Sequence, residues 1–183
     1  MVLQQGMPVP IWGTADAGEE VTVTLGDQKK SAAAGAEGRW MVRFEPIKAE
    51  QGPLEMTVAG KNRLSVSDIL VGEVWICSGQ SNMQWPVVRS KNADREIAEA
   101  DYPRIRLFSV PRTVADKPQA DTEARWEACA PTAIPEFSAV GYFFGRDLHK
   151  ELKVPVGLIH TSWGGTPAES WTEQAVLEGE PDF

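Results

Sequence analysis

Two short segments hold the residues best suited to chemistry. The first, Ser78-Gly-Gln-Ser-Asn-Met83, follows directly on the apolar run Val74-Trp-Ile-Cys77. Hydroxyls and amides at the tip of a buried strand stand where an open parallel sheet gathers its ligands. Gly79 permits a tight turn, and a helix starting beside Ser81 would aim unsatisfied N–H groups at whatever the serine holds. In that setting Ser81 suits attack on a carbonyl, with backbone amides taking up the developing negative charge. Ser81-Asn-Met-Gln84 also reads as an S-x-x-Q capping box, in which the hydroxyl only satisfies a helix N-terminus. Spacing alone leaves both readings open. The G-x-S-x-G elbow of the α/β-hydrolases is absent.

The second segment is Ile159-His-Thr-Ser-Trp-Gly-Gly-Thr-Pro-Ala-Glu-Ser-Trp171. Thr166-Pro-Ala-Glu169 predicts a helix start, a capping box with proline at the first helical position. Gly164 and Gly165 stand just ahead of it. Their backbone amides, free of side-chain bulk, would fit an anion-sized hollow such as an oxyanion hole, although a plain turn uses the same residues.

Other chemistries find less support. The chain has two histidines, His149 and His160, and two cysteines, with no C-x-x-C or H-E-x-x-H pattern, so neither a zinc site nor a cofactor is expected. Cys77 lies inside an apolar run and reads as a small buried hydrophobe. A net charge of −8 argues against nucleic acid or an anionic membrane as partner, since both require a basic face. No apolar run approaches the roughly 20 residues of a membrane span.

The elements that must position these segments change character along the chain. Residues 1–66 read as β structure with alternating patterns at Val21–Leu25, Trp40–Phe44 and Leu54–Val58. Turn signals such as Gly26-Asp27 and Gln51-Gly52-Pro53 separate them, which predicts a small antiparallel sandwich. In residues 67–183 the strands Ile69–Val71 with Val74–Cys77, Ile105–Val110 and Val154–Ile159 are more continuously apolar. They alternate with helices expected at 92–100, at 138–152 and from Thr166 onward, which predicts parallel βαβ construction. Val140, Phe143, Phe144, Leu148 and Leu152 stand at helical spacing behind Ser138 as N-cap, while 111–135 reads as an excursion loop. Arg89 to Glu99 reads as a solvated charged face.

With these elements in place, G-Q-S-N-M at 79–83 and G-G-T-x-x-x-x-W at 164–171 resemble the two leading blocks of the sialate O-acetylesterases, carbohydrate esterases of the wider SGNH hydrolase group. MVLQQGMPVPIWGTADAGEEVTV resembles the N-terminal β region of that family. FSAVGYFFGRDLHKELKVPVGLIHTSWGG resembles the helix and strand leading to its second block. The resemblance implies an N-terminal sandwich-like region followed by an incomplete parallel α/β/α domain. It implies that Ser81 is the nucleophile toward an O-acetylated carbohydrate and that the Ser81 amide and one of Gly164 or Gly165 hold the oxyanion. Gln80, Asn82, Met83, Gln84, Trp85, His160, Trp163 and Thr166 are the expected substrate-binding residues around them. Trp85, Trp163 and Trp171 are placed to stack on sugar rings or to fill the core, whereas Trp12, Trp40 and Trp126 read as core.

The chain departs from the family pattern in its base, and its three expected parallel strands are fewer than the family fold has. The family's base is a histidine in a downstream D-x-x-H block, and Asp147-Leu-His149 has the wrong spacing and reads as a solvated helix face. A C-terminal segment or a second chain is therefore expected to supply Asp and His. The other expectation is an inactive fragment that binds carbohydrate or a partner chain. Secretion or a periplasmic location is implied by the resemblance only, because MVLQQGMPVPIWG has none of the features of a signal peptide.

Overall fold

The computed structural model describes residues 1–49 and 53–179, so the expected turn at Gln51-Gly52 lies outside the described residues. The chain divides into two compact units, Met1–Val74 with His149–Gly157, and Trp75–Leu148 with Leu158–Phe183.

The first unit holds β1 (Val2–Gln4), β2 (Val9–Thr14), β3 (Glu20–Leu25), β4 (Gln28–Ala33), β5 (Arg39–Phe44), β6 (Leu54–Ala59) and the first part of β7 (Arg63–Gly79). β2 and β5 form one antiparallel pair, while β4, β3, β6 and β7 lie side by side in another sheet. Period-2 alternation sends Trp40, Val42 and Phe44 of β5 inward against Val21, Val23, Leu25 and Met56, and this sandwich core is closed to water. The same parity explains why Trp12 is not core. It shares the outer face of β2 with Pro10 and Thr14 and is 67% exposed.

β7 is one strand of 17 residues where the sequence suggests separate runs. Its pairing with β6 steps from Met56↔Val66 to Leu54↔Ile69, one extra residue on β7, and Asp68 takes the left-handed conformation at this bulge with φ 58°. The bulge turns the alternating half of the strand into the apolar half. There Ile69, Leu70 and Val71 are all buried, and β1 pairs in parallel beside them.

The second unit holds the end of β7, α1 (Ala93–Ala98), β8 (Tyr102–Ser109), β9 (Trp126–Cys129), most of α2 (Ala139–Leu152), the end of β10 (Val156–Ser162) and α3 (Gln174–Gly179). The strand order is β7-β10-β8-β9. The Trp163 amide donates to the Gly79 carbonyl and the Val110 amide to the His160 carbonyl, both at 2.9 Å, so the carboxyl ends of β7, β10 and β8 stand together. β9, inside the expected loop, pairs antiparallel with β8. Its four residues carry too little periodicity to announce a strand.

Helix α2 forms as its Ser138 cap suggests: the Ser138 hydroxyl accepts the Gly141 amide at 3.1 Å. Its inward face differs from the expected one. Ala139, Gly141, Tyr142 and Gly145 are buried, whereas Val140, Phe144 and Leu152 are 42–50% exposed. Close approach is the reason. A Cβ on Gly145 would lie 2.5 Å from Leu158 Cδ1, and one on Gly141 would lie 3.1 Å from Cys77 Sγ. Large side chains are excluded from that face, and Phe144 instead packs edge-on against Trp75 at 5.0 Å.

Candidate active site

At the end of β7 the chain makes successive turns rather than a helix. Met83 donates to the Gln80 carbonyl, Gln84 to that of Ser81 and Trp85 to that of Asn82, at 3.0–3.2 Å. The expected helix start beside Ser81 is therefore absent. The capping reading fails with it, because the Ser81 hydroxyl donates to Gln80 Oε1 at 2.5 Å and stays exposed. Ser81 itself has φ 41°. A left-handed serine costs of order 1 kcal/mol and persists only where its surroundings impose it.

The surroundings are well anchored. The Ala139 amide donates to the Trp85 carbonyl at 2.8 Å and the Val87 amide to that of Phe137 at 3.0 Å. The fully buried Ser138 hydroxyl also donates to Met83 Sδ at 3.4 Å. The turn carrying Ser81 is thus tied to the N-terminus of α2.

The end of β10 brings the second segment alongside. A Cβ on Gly164 would stand 3.5 Å from the Ser81 amide nitrogen and 2.6 Å from Gln84 Oε1. Ser81, Gln84, Trp85, Pro86, Arg89 and Gly164 line one cleft of about 220 Å³. The Gly164 amide is already engaged, donating to Gln84 Oε1. Gly165, at φ 79°, has open space on its Cβ side. The expected capping box at Thr166 does not form. Thr166 Oγ1 donates to the Trp163 carbonyl at 2.7 Å and accepts from Trp171 Nε1 at 2.8 Å. A 3₁₀ turn over Ala168–Trp171 and α3 replace the continuous helix.

His160 lies half-buried, with Nε2 2.5 Å from Ser162 Oγ and its ring edge-on to Phe137. Burial holds its pKa below the usual histidine value, the charge of Arg112 pushes the same way, and a hydrogen bond with the Met83 backbone opposes them. It is neutral at pH 7. His149 is not a solvated residue: it is half-buried, with Nδ1 2.6 Å from the Val154 carbonyl. Both cysteines are buried and unpaired. Burial raises the Cys77 thiol, and burial with the Asp101 charge nearby pushes Cys129 to about 12, so neither offers a thiolate.

Of the tryptophans beside the two segments, Trp85 is 50% exposed and Trp171 44%, so neither is core; Trp163 is half-buried. Asn82 is exposed and Met83 half-buried. Arg89 is not merely part of a solvated face, because it lines the Ser81 cleft and stands 6.0 Å from the Trp85 ring centre. Glu96 is likewise held by Arg146 at 2.6 Å. Among the cleft residues, sequence reasoning missed Arg89 and Pro86; the one signal for them was their nearness to Ser81 in the chain.

Residues 71–180 match the family described as carbohydrate esterase, sialic acid-specific acetylesterase. The chain is 39% identical over 201 residues to the sialate O-acetylesterase of Rattus norvegicus and 38% identical over 201 residues to that of Homo sapiens. Each alignment covers 97% of this chain but 36% and 38% of those relatives. The chain therefore spans little more than a third of their length. The fold is also similar to a carbohydrate acetylesterase from Xanthomonas citri, with a TM-score of 0.93 at 36% identity, covering 97% of this chain and 41% of that one.

Proposed function

This chain belongs to the sialic acid-specific acetylesterase family of carbohydrate esterases, and from that membership and the geometry around Ser81 we propose that it carries the nucleophile and part of the oxyanion site of an esterase that removes O-acetyl groups from sugars. One observation supports this most: an exposed serine hydroxyl, on a left-handed residue at a strand end, shares a cleft with Gly164.

In this reading a base takes the Ser81 proton and Oγ attacks the acetyl carbonyl. The Ser81 and Gly164 amides hold the tetrahedral oxyanion, whose collapse expels the sugar hydroxyl and leaves an acetyl-serine. Water then releases acetate. Gln84 has a role as occupant: its side-chain carbonyl sits on the Gly164 amide and must leave before the oxyanion can use that donor. The net worth of such a hydrogen bond is about 1 kcal/mol. Where the base is supplied, Gln84→Ala is accordingly expected to speed reaction of Ser81 with a fluorophosphonate by about fivefold. A slower reaction would show instead that Gln84 positions the serine.

Among the described residues the Ser81 hydroxyl bonds to Gln80 Oε1, and neither histidine is its partner. His160 is committed to Ser162 and to the Met83 backbone. We assign the base to an Asp/His pair supplied from outside these residues, by a C-terminal segment or a second chain. A serine of ordinary pKa is a poor nucleophile without one. Residues 1–183 alone are thus expected to hydrolyse aryl acetates weakly or not at all, and robust turnover abolished by Ser81→Ala would place the base within the chain.

A further inference from the structure

The ring of His160 reaches from β10 to the turn that carries Ser81. Its Nε2 stands 2.5 Å from Ser162 Oγ on its own strand, and the ring also shares a hydrogen bond with the Met83 backbone. That bond favours the charged ring, so the Met83 group is its carbonyl and a ring N–H donates to it. Phe137 meets the imidazole edge-on, 5.2 Å between centres, and limits its tilt. Gln84, His160 and Ser162 line one hollow together. A neutral imidazole has one donor and one acceptor, the two roles these partners require: it accepts the Ser162 hydroxyl and donates to Met83. A protonated ring would be a donor at both nitrogens and would turn the Ser162 hydroxyl away.

Both segments of the candidate site are thereby tied to one side chain. On the first, Met83 closes the turn through Ser81, its amide on the Gln80 carbonyl at 3.0 Å and its Sδ on the buried Ser138 hydroxyl at 3.4 Å. On the second, Ser162 and Gly164 flank Trp163, whose amide donates to the Gly79 carbonyl at 2.9 Å. An oxyanion site works only while its donors hold their geometry, and a misplacement of about 1 Å can cost about a hundredfold in rate. We propose that His160 is a positioning residue for Ser81: by bridging Ser162 and the Met83 carbonyl it locks the Ser81 turn to the end of β10 and keeps the Ser81 and Gly164 amides aimed at one point. Its effect on reaction rests on the proposed esterase reading, but the bridge itself needs no reaction.

Two substitutions separate the hydrogen bonds of the ring from its bulk. His160→Gln keeps one donor and one acceptor, whereas His160→Leu keeps apolar volume and neither. Hydrogen exchange of the Met83, Gln84 and Trp85 amides is measured on the chain as it stands, and fluorophosphonate labelling of Ser81 where the base is supplied. In His160→Leu those amides should exchange about fivefold faster or more, and labelling should slow at least about tenfold. His160→Gln should hold both within about threefold of the unsubstituted chain. A ring that only fills space would lower the urea midpoint yet leave labelling unchanged while the folded state dominates. Exchange and labelling unchanged in His160→Leu, or equal losses in both variants, would overturn the assignment. The two claims fail separately. Exchange that quickens in His160→Leu and is restored in His160→Gln, with Ser81 unlabelled throughout, keeps the bridge and removes the esterase reading. A labelled serine with all three proteins alike removes the positioning role alone.

Discussion

Ser81→Ala is expected to remove acyl transfer entirely. Where a histidine base is supplied, the loss should be about 10⁶ in kcat, the size that follows deletion of a serine acting as a unit with its base. On the isolated chain, whatever ester cleavage remains should fall to the buffer rate. The fold should survive, because the hydroxyl is exposed and bonds only to the neighbouring Gln80 side chain. Alanine keeps the backbone at φ 41°, so stability is expected to change by less than about 0.5 kcal/mol, as at other surface positions. Ser81→Gly offers a sharper version. Glycine adopts that backbone without steric cost, so the same activity should disappear with stability held or raised. Progress curves with an aryl acetate, together with urea titrations of both variants, check the pair. Undiminished cleavage in Ser81→Ala would end the assignment of the nucleophile.

The second large effect is structural. Gly72 sits where β7 passes directly against Pro155 within the first unit. Its carbonyl accepts the Gln5 amide at 2.8 Å, and the next residue, Glu73, donates to the Pro155 carbonyl at 2.9 Å. A Cβ built on Gly72 would lie 2.0 Å from Pro155 O and 2.7 Å from its carbonyl carbon. Those are backbone atoms held by the hydrogen bond beside them, so no rotamer change relieves the clash. Gly72→Ala is expected to cost about 3 kcal/mol or more, at the upper end of overpacking, and to lower the thermal midpoint by about 6–12 °C. Gly35→Ala is the control: its Cβ would meet only Arg39 O at 3.7 Å, an ordinary contact, and should be tolerated. Equal midpoints for the two variants would contradict the packing described at Gly72.

The mixed α/β architecture was legible because its strongest signals were local. Alternation in β3 and β5, the continuous apolar stretch of β7 and the Ser138 cap of α2 each act over a few residues. What escaped depended on partners distant in sequence. β4, Gln-Lys-Lys-Ser-Ala-Ala, has no apolar stripe and is a strand because β3 pairs with it along its whole length. The buried face of α2 was misread because a glycine chosen for close approach looks, in sequence, like a weak helix position. Thr166 and Ser81 both matched capping boxes, yet each hydroxyl found a nearer partner, the Trp163 carbonyl and the Gln80 side chain. At the candidate site the two segments could be named from the sequence. The engagement of Gly164 by Gln84 required the ends of β7 and β10 to be brought together.

The most direct test of the nucleophile is covalent. The protein with its Asp/His pair supplied, by a C-terminal segment or a second chain, is treated with a fluorophosphonate and its peptides are mapped by mass spectrometry, with urea-unfolded protein and Ser81→Ala alongside. A single adduct on the peptide containing Ser81, absent from both controls, is the predicted result. No adduct, an adduct on another serine, or equal labelling of the unfolded chain would contradict it.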